Sequence, residues 1–297
     1  MSIVSIGQFK INYLKKNYSQ LARQGSEQWL TGRLTRFGGS EIGRVTKTKK
    51  SCSKLIINKL EQKFQSNIYC WWGHTFERIA KVYLEKVKNL KIYEFGAIPS
   101  TNYPVAYSPD GVYIDLVHKD LMLLEIKCPF LRDVTNETEI KSDYMMQVQT
   151  GMQILPCTKT SFLQFKFRKC SLDDLSKTGK YNRYFHRENK RSPEQTELWY
   201  GAIYWDIKIG IKYGIEQKIK PTKIYYSFKD DVEKICESFN TGVIMYFKCF
   251  FILENIIPKD KDYEERYGNV IWEKYNDLIV EYKKSKQNKK ENTKKKK

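Results

Sequence analysis

The sequence predicts one mixed α/β (α+β) domain, in which a central sheet is flanked by helices. Two observations support this class. Helical patterns fill the first third of the chain, and a run of short strands follows; strand and helix patterns then alternate. With 297 residues and 41% hydrophobic content, the chain can build one large core. We expect residues 1–282 to form this domain around a core at 26–255, and 283–297 to be a disordered Lys-rich tail.

The predicted helices have apolar residues at helical spacing or a serine that can cap their first amides. They lie at 1–25 (a lead-in helix or arm), 26–30, 41–45, 54–64, 73–87, 143–155 and 230–253. Ser26 and Ser40 are the capping residues of the second and third, and 46–53 is expected to be a polar loop. In the helix over 73–87, Glu77 lies on the flank of the buried stripe.

The predicted strands lie at 91–98, 112–117, 121–128, 160–168, 198–209 and 223–228, with polar residues over 170–195 expected to loop out. The strand over 121–128 is apolar on both faces, so we expect it to be central. It nevertheless ends in Glu125 and Lys127, which share one face because they are two residues apart.

Composition argues against several classes of protein. No run of about 18 apolar residues occurs and no signal-peptide pattern opens the chain, so neither a membrane span nor secretion is expected. The seven cysteines are odd in number and include no Cys-x-x-Cys, which argues against a zinc site or a disulfide framework. Reduced thiols in an intracellular protein are the expectation.

The chain is strongly basic. Its formal net charge is +19, of which residues 283–297 contribute +8 and the other 282 residues +11. A basic body attracts polyanions, and nucleic acid first among them. A coding bias toward lysine would give a similar composition, and for the tail this alternative stays open.

A metal site is predicted where two strands meet. Asp110 precedes the strand over 112–117, and Glu125 and Lys127 close the next strand. Charges at the end of a central strand need partners, and a divalent cation shared by Asp110 and Glu125 would supply one. The backbone carbonyl of Ile126 is a further oxygen ligand. Such hard ligands indicate Mg²⁺ or Mn²⁺ beside a phosphodiester.

Three side chains can assist around that ion. Lys127 can orient a water or stabilise charge on a phosphate. Glu77 can bind the ion directly or through water, and Gln147 offers a donor and an acceptor to a water or a phosphate oxygen. Taken singly, each residue also has an ordinary interpretation: a turn at Asp110, an exposed charge pair at Glu125 and Lys127, and helix surface at the other two positions.

Together these segments resemble the phage-lambda-type exonucleases and the viral alkaline exonucleases, which share a YqaJ-like viral recombinase domain within the PD-(D/E)XK superfamily. The matching segments span residues 29–155. They are Trp29…Arg33…Gly39-Ser40-Glu41, Trp72-Gly73…Phe76-Glu77, Ser108-Pro109-Asp110-Gly111, Leu124-Glu125-Ile126-Lys127-Cys128-Pro129-Phe130 and Tyr144-Met145-Met146-Gln147-Val148-Gln149.

The resemblance implies a restriction-endonuclease-like mixed sheet flanked by helices. It also implies Mg²⁺-dependent digestion of linear double-stranded DNA from a 5′ end, leaving 3′ single strands for recombination and replication of viral DNA. The implied partners are DNA ends and a single-strand annealing protein, in the cytoplasm or nucleus of an infected host cell and without a membrane. A ring-shaped trimer is implied as well, but some relatives act as monomers, so a homo-oligomer and a monomer both stay open.

The same resemblance assigns roles to single residues. It makes Asp110 and Glu125 metal ligands, Lys127 catalytic, and Glu77 and Gln147 supports of the metal and the water. The positions that match a grip on the terminal 5′-phosphate are Arg33, Ser40 and Ser108. A further phosphate-binding arginine is expected after Cys128-Pro129-Phe130, where Arg132 is the nearest candidate but Asp133 occupies the matching place.

Two alternatives to a DNA exonuclease stay open. One is an endonuclease or RNA-degrading nuclease on the same scaffold, because the site residues do not encode a preference for ends. The other is a non-catalytic DNA-binding recombination protein that uses the basic body and the aromatic residues. The intact set of Asp110, Glu125 and Lys127 argues against the second alternative, because clustered carboxylates repel phosphate.

Overall fold

A computed structural model of the chain describes residues 5–22, 26–61, 67–171, 200–206, 225–228 and 242–294. Its helices are α1 Ile6–Tyr18, α2 Glu27–Gly32, α3 Ile42–Lys47, α4 Lys49–Leu60, α5 Ile68–Lys86, α6 Ser142–Ile154 and α7 Tyr263–Lys294. Two short 3-10 turns, Arg33–Thr35 and Gly39–Glu41, lie between α2 and α3. Within the described ranges, no helix combines the length and the hydropathy that crossing a membrane requires.

The strands form two sheets. They are β1 Phe37–Gly38, β2 Ile98–Pro99, β3 Val105–Tyr107, β4 Gly111–Asp115, β5 Asp120–Lys127, β6 Lys159–Cys170, β7 Tyr200–Asp206, β8 Tyr225–Phe228 and β9 Gly242–Pro258. The small sheet has the order β1-β3-β2, and the large one β4-β5-β6-β9-β7-β8. In the large sheet β5 and β6 run parallel, whereas the other described pairs are antiparallel. This mixed sheet flanked by helices confirms the predicted fold class.

Strand β5 is buried on both faces, as its sequence predicts. Leu123 packs in one core cluster with Val148 and Met152 of α6. Leu124 packs in a second cluster, on the opposite face, with Phe76 of α5. The end of β5 therefore lies between two helices that each carry a predicted site residue, which are Glu77 on α5 and Gln147 on α6.

Two local predictions were wrong. The polar loop expected over 46–53 is mostly helix, because the hydroxyl of Thr48 accepts a hydrogen bond from the Ser51 amide at 3.1 Å and caps α4 at Lys49. The strand expected over 91–98 is reduced to a bridge between Tyr93 and Val112 and to the two residues of β2. This segment pairs with β4 of the large sheet at one end and with β3 of the small sheet at the other, so it cannot follow either as one strand.

The helix predicted over 230–253 is also wrong where the structure describes it. Residues 242–258 form β9, which pairs with β6 on one side and with β7 on the other. The segment is rich in β-branched and aromatic residues, and two neighbouring strands override its helical periodicity. Residues 229–241 lie outside the described residues, as do most of 170–195, for which a loop was predicted.

The Lys-rich tail, predicted to be disordered from 283 to 297, is helical as far as Lys294, and 295–297 lie outside the described residues. Helix α7 starts earlier and is anchored by three buried side chains, Tyr263, Ile271 and Leu278. Lysine is a good helix former, so a helix nucleated by that packing continues into the tail.

Candidate active site

The end of β5 brings four predicted site residues together. Glu125 is completely buried. Its Oε1 accepts a hydrogen bond from Nε2 of Gln147 at 2.6 Å and forms an ion pair with Nζ of Lys127. Oδ2 of Asp110 accepts a hydrogen bond from the backbone amide of Ile126 at 2.7 Å. The turn before β4, the end of β5 and the start of α6 therefore converge on one site.

Local sequence explains why Asp110 lies there. Strands β4 and β5 pair antiparallel with Gly111 opposite Leu124, so the residue before Gly111 falls beside Glu125. Gly111 itself is closely packed, because a Cβ atom at this position would lie 2.5 Å from Cγ2 of Ile92. A side chain there would clash with Ile92, so glycine allows the close packing of this turn beside Asp110.

Glu77 approaches the site from α5 but is held by other partners. Its Oε1 lies 3.1 Å from Nζ of Lys81, which also pairs with Glu94 at 2.8 Å. The charge of Asp110 acts on Glu77, which shows that the two carboxyl groups are within electrostatic reach. In the described part of the chain, no hydrogen bond joins Glu77 to Glu125, so its direct role at the ion stays a prediction.

The site carries crowded negative charge. Burial, and then the charge of Asp110, raise the pKa of Glu125 to about 7. The same two causes raise the pKa of Glu77 to about 7. Burial alone would lower the pKa of Lys127, but the carboxylates of Glu125 and Asp110 raise it above its ordinary value. A cation between the carboxylates would relieve their repulsion.

The donor set fits a magnesium-type ion. Among the residues described, no three His, Cys, Asp or Glu side chains form a complete metal-binding group. Asp110 and Glu125 would provide two carboxylates, and water and phosphate oxygens would have to complete the shell. Mg²⁺ is commonly held in this way, by one or two carboxylates with several retained waters. The carbonyl of Ile126 remains a predicted ligand.

Arg33 and Ser108 meet through Trp29. The guanidinium of Arg33 lies 4.6 Å from the centre of the Trp29 ring, and Nε1 of Trp29 donates to Oγ of Ser108 at 3.1 Å. Ser26 caps α2 by accepting from the Trp29 amide at 3.2 Å, as predicted. Two of the four predicted phosphate contacts therefore share one edge of the site, next to Asp110.

A buried ion pair fixes the backbone beneath Arg33. Glu41 is buried and forms ion pairs with Arg33 at 2.6 Å and with Lys59 at 2.7 Å. Nζ of Lys59 also donates to the carbonyl oxygens of Arg33 and Arg36, at 2.8 and 3.0 Å. Burial alone would raise the pKa of Glu41, but these cations lower it. The carboxylate therefore stays charged and orients Arg33.

The prediction that Ser40 caps a helix was wrong. Ser40 is exposed in the 3-10 turn Gly39–Glu41, and α3 begins after it at Ile42 without a side-chain cap. The helical turn begins one residue earlier, at Gly39, so Ser40 lies inside it and Gly38 holds the capping position, where its amide donates to Oε2 of Glu41 at 2.7 Å. The hydroxyl of Ser40 is therefore left exposed.

Arg132 lies on the other side of the site. Its Nη2 donates to Oε1 of Gln164 at 2.5 Å, and Gln164 is the β6 neighbour of Lys127. Asp133, where the resemblance expects an arginine, forms ion pairs with Arg168 at 2.7 Å and with Lys166 at 3.4 Å. Arg132 is therefore separated from Arg33 and Ser108 by the width of β5.

Lys166 organises the loop that follows β5, and the sequence analysis missed it. This lysine is buried, and its Nζ donates to the carbonyl oxygens of Phe130, Leu131 and Arg132 at 3.1, 3.3 and 2.8 Å. The sequence does contain a signal for this role, because Lys166 interrupts an apolar strand pattern beside the candidate site.

Tyr107 was missed as well. It is buried at the end of β3, and its hydroxyl donates to Oε2 of Glu125 at 2.6 Å. Side chains alternate between the two faces of β3, so Val105 and Tyr107 are both buried on the same face. A tyrosine that is buried three residues before Asp110 needs a hydrogen-bond partner for its hydroxyl. This requirement could have indicated from the sequence that Tyr107 contacts the site.

All of the site residues that the sequence predicted fall in one segment with known relatives. Residues 28–161 match the YqaJ-like viral recombinase domain. This match confirms the resemblance that the motifs indicated. It includes Asp110, Glu125, Lys127 and the helix that carries Gln147.

Two viral proteins are similar in sequence. A protein of African swine fever virus is 27% identical over 201 residues, which are 58% of this chain and 58% of that protein. An uncharacterised protein of Acanthamoeba polyphaga mimivirus is 26% identical over 159 residues, 48% of this chain and 29% of its own length. The chain thus spans less than two thirds of either relative.

One solved structure has a similar fold. The crystal structure of an alkaline exonuclease from Laribacter hongkongensis superposes with a TM-score of 0.50 at 16% sequence identity. The match covers 90% of this chain and 99% of that one. The mixed sheet with flanking helices therefore matches the fold of that structure.

Proposed function

We propose that the chain is a Mg²⁺- or Mn²⁺-dependent nuclease, and specifically an exonuclease that digests linear double-stranded DNA in the 5′→3′ direction and leaves 3′ single strands. One observation carries the proposal. Asp110 and Glu125 are neighbours at the end of a central strand, with Lys127 and Gln147 both in contact with Glu125. The viral recombinase domain and the exonuclease-like fold support it.

Asp110 and Glu125 would hold the ion. When bound, it would supply Lewis-acid stabilisation of the phosphate and would lower the pKa of the attacking water. The protein's own residues would orient the ligands and stabilise the developing charge. Glu125 is fixed by three donors, so its carboxylate is already oriented before DNA arrives. Because the carboxylate is already oriented, no free energy is needed to reorient it during the reaction.

Lys127 would act as a cation and not as a base. Its carboxylate neighbours raise its pKa, so the ammonium keeps its proton through the neutral range. It would donate to charge that develops on the scissile phosphate. The amide of Gln147 donates to Glu125, and its oxygen would accept a hydrogen bond from the nucleophilic water. Glu77 would reach the ion through water.

The proposed ligand is the end of a DNA duplex. Arg33 and Ser108 on one edge, and Arg132 on the other, would contact phosphates on either side of the carboxylates, and the exposed Ser40 would join the first edge. Arginine suits this role because its guanidinium binds phosphate oxygens in pairs. The net charge of +11 outside the tail would draw DNA to the site.

Three wider proposals follow from the viral relatives and from the family resemblance. The chain would act on viral DNA in the cytoplasm or nucleus of an infected host cell. Its single-stranded product would pass to an annealing protein. Assembly of several copies into a homo-oligomer would keep the enzyme on its substrate. Each of these proposals depends on the nuclease activity itself.

The test is a time course on linear duplex with either a 5′-phosphate or a 5′-hydroxyl, with and without Mg²⁺. The parent should release mononucleotides only with Mg²⁺, and Asp110→Asn should release none while it still binds DNA in Ca²⁺. Nicked circles and RNA serve as further substrates. Digestion at the parental rate by Asp110→Asn would show that the metal site is misassigned. Binding by the parent without any cleavage would favour the non-catalytic alternative.

A further inference from the structure

Tyr107 completes the contacts of the central carboxylate. Its hydroxyl donates to Oε2 of Glu125 at 2.6 Å, whereas Gln147 and Lys127 both contact Oε1. The donors come from three different elements, which are β3, α6 and β5. With Tyr107 in place, neither oxygen of the buried carboxylate lacks a donor, and the group has one preferred orientation.

Two glycines clamp the Tyr107 ring. A Cβ atom on Gly39 would lie 2.3 Å from Cδ2 of the ring, and one on Gly151 would lie 2.6 Å from Cζ. Gly39 begins the 3-10 turn that carries Ser40, and Gly151 lies one helical turn after Gln147 on α6. The ring is therefore in direct contact with backbone from both sides, and its hydroxyl is aimed by that packing.

We propose that Tyr107 is a positioning residue of the nuclease: it holds the Glu125 carboxylate in the orientation that binds the divalent cation, and it links that orientation to the Gly39–Glu41 turn and to α6. The inference rests on the proposed function, because it assigns Glu125 to the metal. Groups that hydrogen-bond to a metal ligand typically change metal affinity or activity by about 10- to 100-fold when they are removed.

Tyr107→Phe isolates the hydroxyl, because it leaves the clamped ring in place. Tyr263→Phe is the matched control. Tyr263 is equally buried, and its hydroxyl makes a 2.6 Å hydrogen bond with Thr150, whose partners include no site carboxylate. Both variants lose one buried hydrogen bond of the same length, so a general loss of stability should be similar in the two.

The first readout is Mn²⁺ binding by calorimetry without DNA. Tyr107→Phe should bind Mn²⁺ roughly tenfold more weakly than the parent, and Tyr263→Phe should bind it with parental affinity. The second readout is steady-state cleavage. Tyr107→Phe should lower kcat and raise the Mn²⁺ concentration needed for half-maximal rate, while KM for DNA stays constant.

Parental Mn²⁺ affinity in Tyr107→Phe, or equal losses in both variants, would overturn the inference while leaving the nuclease proposal standing. A parent that neither binds Mn²⁺ nor cleaves DNA would instead overturn the proposed function, and this inference with it. If Tyr107→Phe does not fold, Gly151→Ala provides a second route, because it displaces the ring and keeps the hydroxyl. It should weaken Mn²⁺ binding, and unchanged affinity would count against the inference.

Discussion

Replacing Asp110 by asparagine should make the metal-free protein lose less stability as the pH rises through neutrality, although it removes a candidate metal ligand. Burial and the charge of Asp110 raise the pKa of Glu125 and of Glu77, each to about 7. The folded state therefore holds protons that the unfolded state releases near its ordinary value of 4.5. The stability from this proton uptake is fully present below that value and is lost as the pH rises through about 7.

The size of the effect follows from those shifts. Each pKa unit corresponds to about 1.4 kcal/mol, so a rise from 4.5 to about 7 costs roughly 3 kcal/mol per carboxyl group once it is ionised. Burial is the larger cause and the charge of Asp110 the second, while nearby lysines lower both pKa values. The asparagine oxygen can still accept from the Ile126 amide. Asp110→Asn also loses the attraction of Asp110 to Lys127 and Lys81, but both lysines stay charged across this range, so that loss is the same at low and high pH. Each unit by which the substitution lowers the pKa of Glu125 or Glu77 should therefore favour the variant over the parent by about 1.4 kcal/mol as the pH rises.

Urea unfolding in EDTA at about pH 5 and about pH 8 measures this difference. The free energy of unfolding of Asp110→Asn, taken relative to the parent, should be higher at the higher pH than at the lower. Added Mg²⁺ should then stabilise the parent but not the variant, because only the parent binds it. Asp120→Asn is the control, since Asp120 pairs with Lys10 away from the site, and its difference from the parent should not change in this way. A difference between Asp110→Asn and the parent that is the same at both pH values, or equal stabilisation by Mg²⁺, would refute the reasoning.

Three further predictions concern neighbouring features. Lys127→Met should lower the cleavage rate by about 10²-fold or more in single-turnover kinetics. DNA binding in Ca²⁺, measured by gel shift, should stay intact. Weaker binding with an unchanged cleavage rate would contradict this prediction. Lys166→Met should cost roughly 3 kcal/mol in urea unfolding, because three carbonyl oxygens lose their donor and Asp133 loses a partner. A loss below about 1 kcal/mol would show that the loop does not need this lysine. Deleting residues 283–297, which carry a net charge of +8, should reduce the salt dependence of DNA binding and leave the rate of the chemical step unchanged. An unchanged slope of log affinity against log salt concentration would show that the tail does not contact phosphate.

The centre of the site could be predicted because it depends on local periodicity. Alternation along β5 puts Glu125 and Lys127 on one face, and the structure keeps them there in contact. The pairing of β4 with β5 follows from a short turn between two apolar runs, and it brings Asp110 alongside. Gln147 follows from the helical pattern of α6, whose apolar face packs on the same side of β5.

The features that failed depend on contacts distant in sequence. Residues 242–253 were predicted to be helical, but two neighbouring strands decide their state. Ser40 has the chemistry of a helix cap, but the helical turn begins before it, at Gly39, where the contact between the Gly38 amide and Glu41 fixes the capping position. The interaction of Lys166 with its loop joins segments more than thirty residues apart, so no local pattern contains it. Packing therefore decided these cases against local propensity.

The most direct test of the metal site is an anomalous difference map from crystals grown with Mn²⁺. Our account predicts one strong peak about 2.1 Å from a carboxylate oxygen of Asp110 and from one of Glu125, with Lys127 and Gln147 beside it. A Mn²⁺ ion bound elsewhere in protein that cleaves DNA, with Asp110 and Glu125 contacting only protein groups, would contradict it.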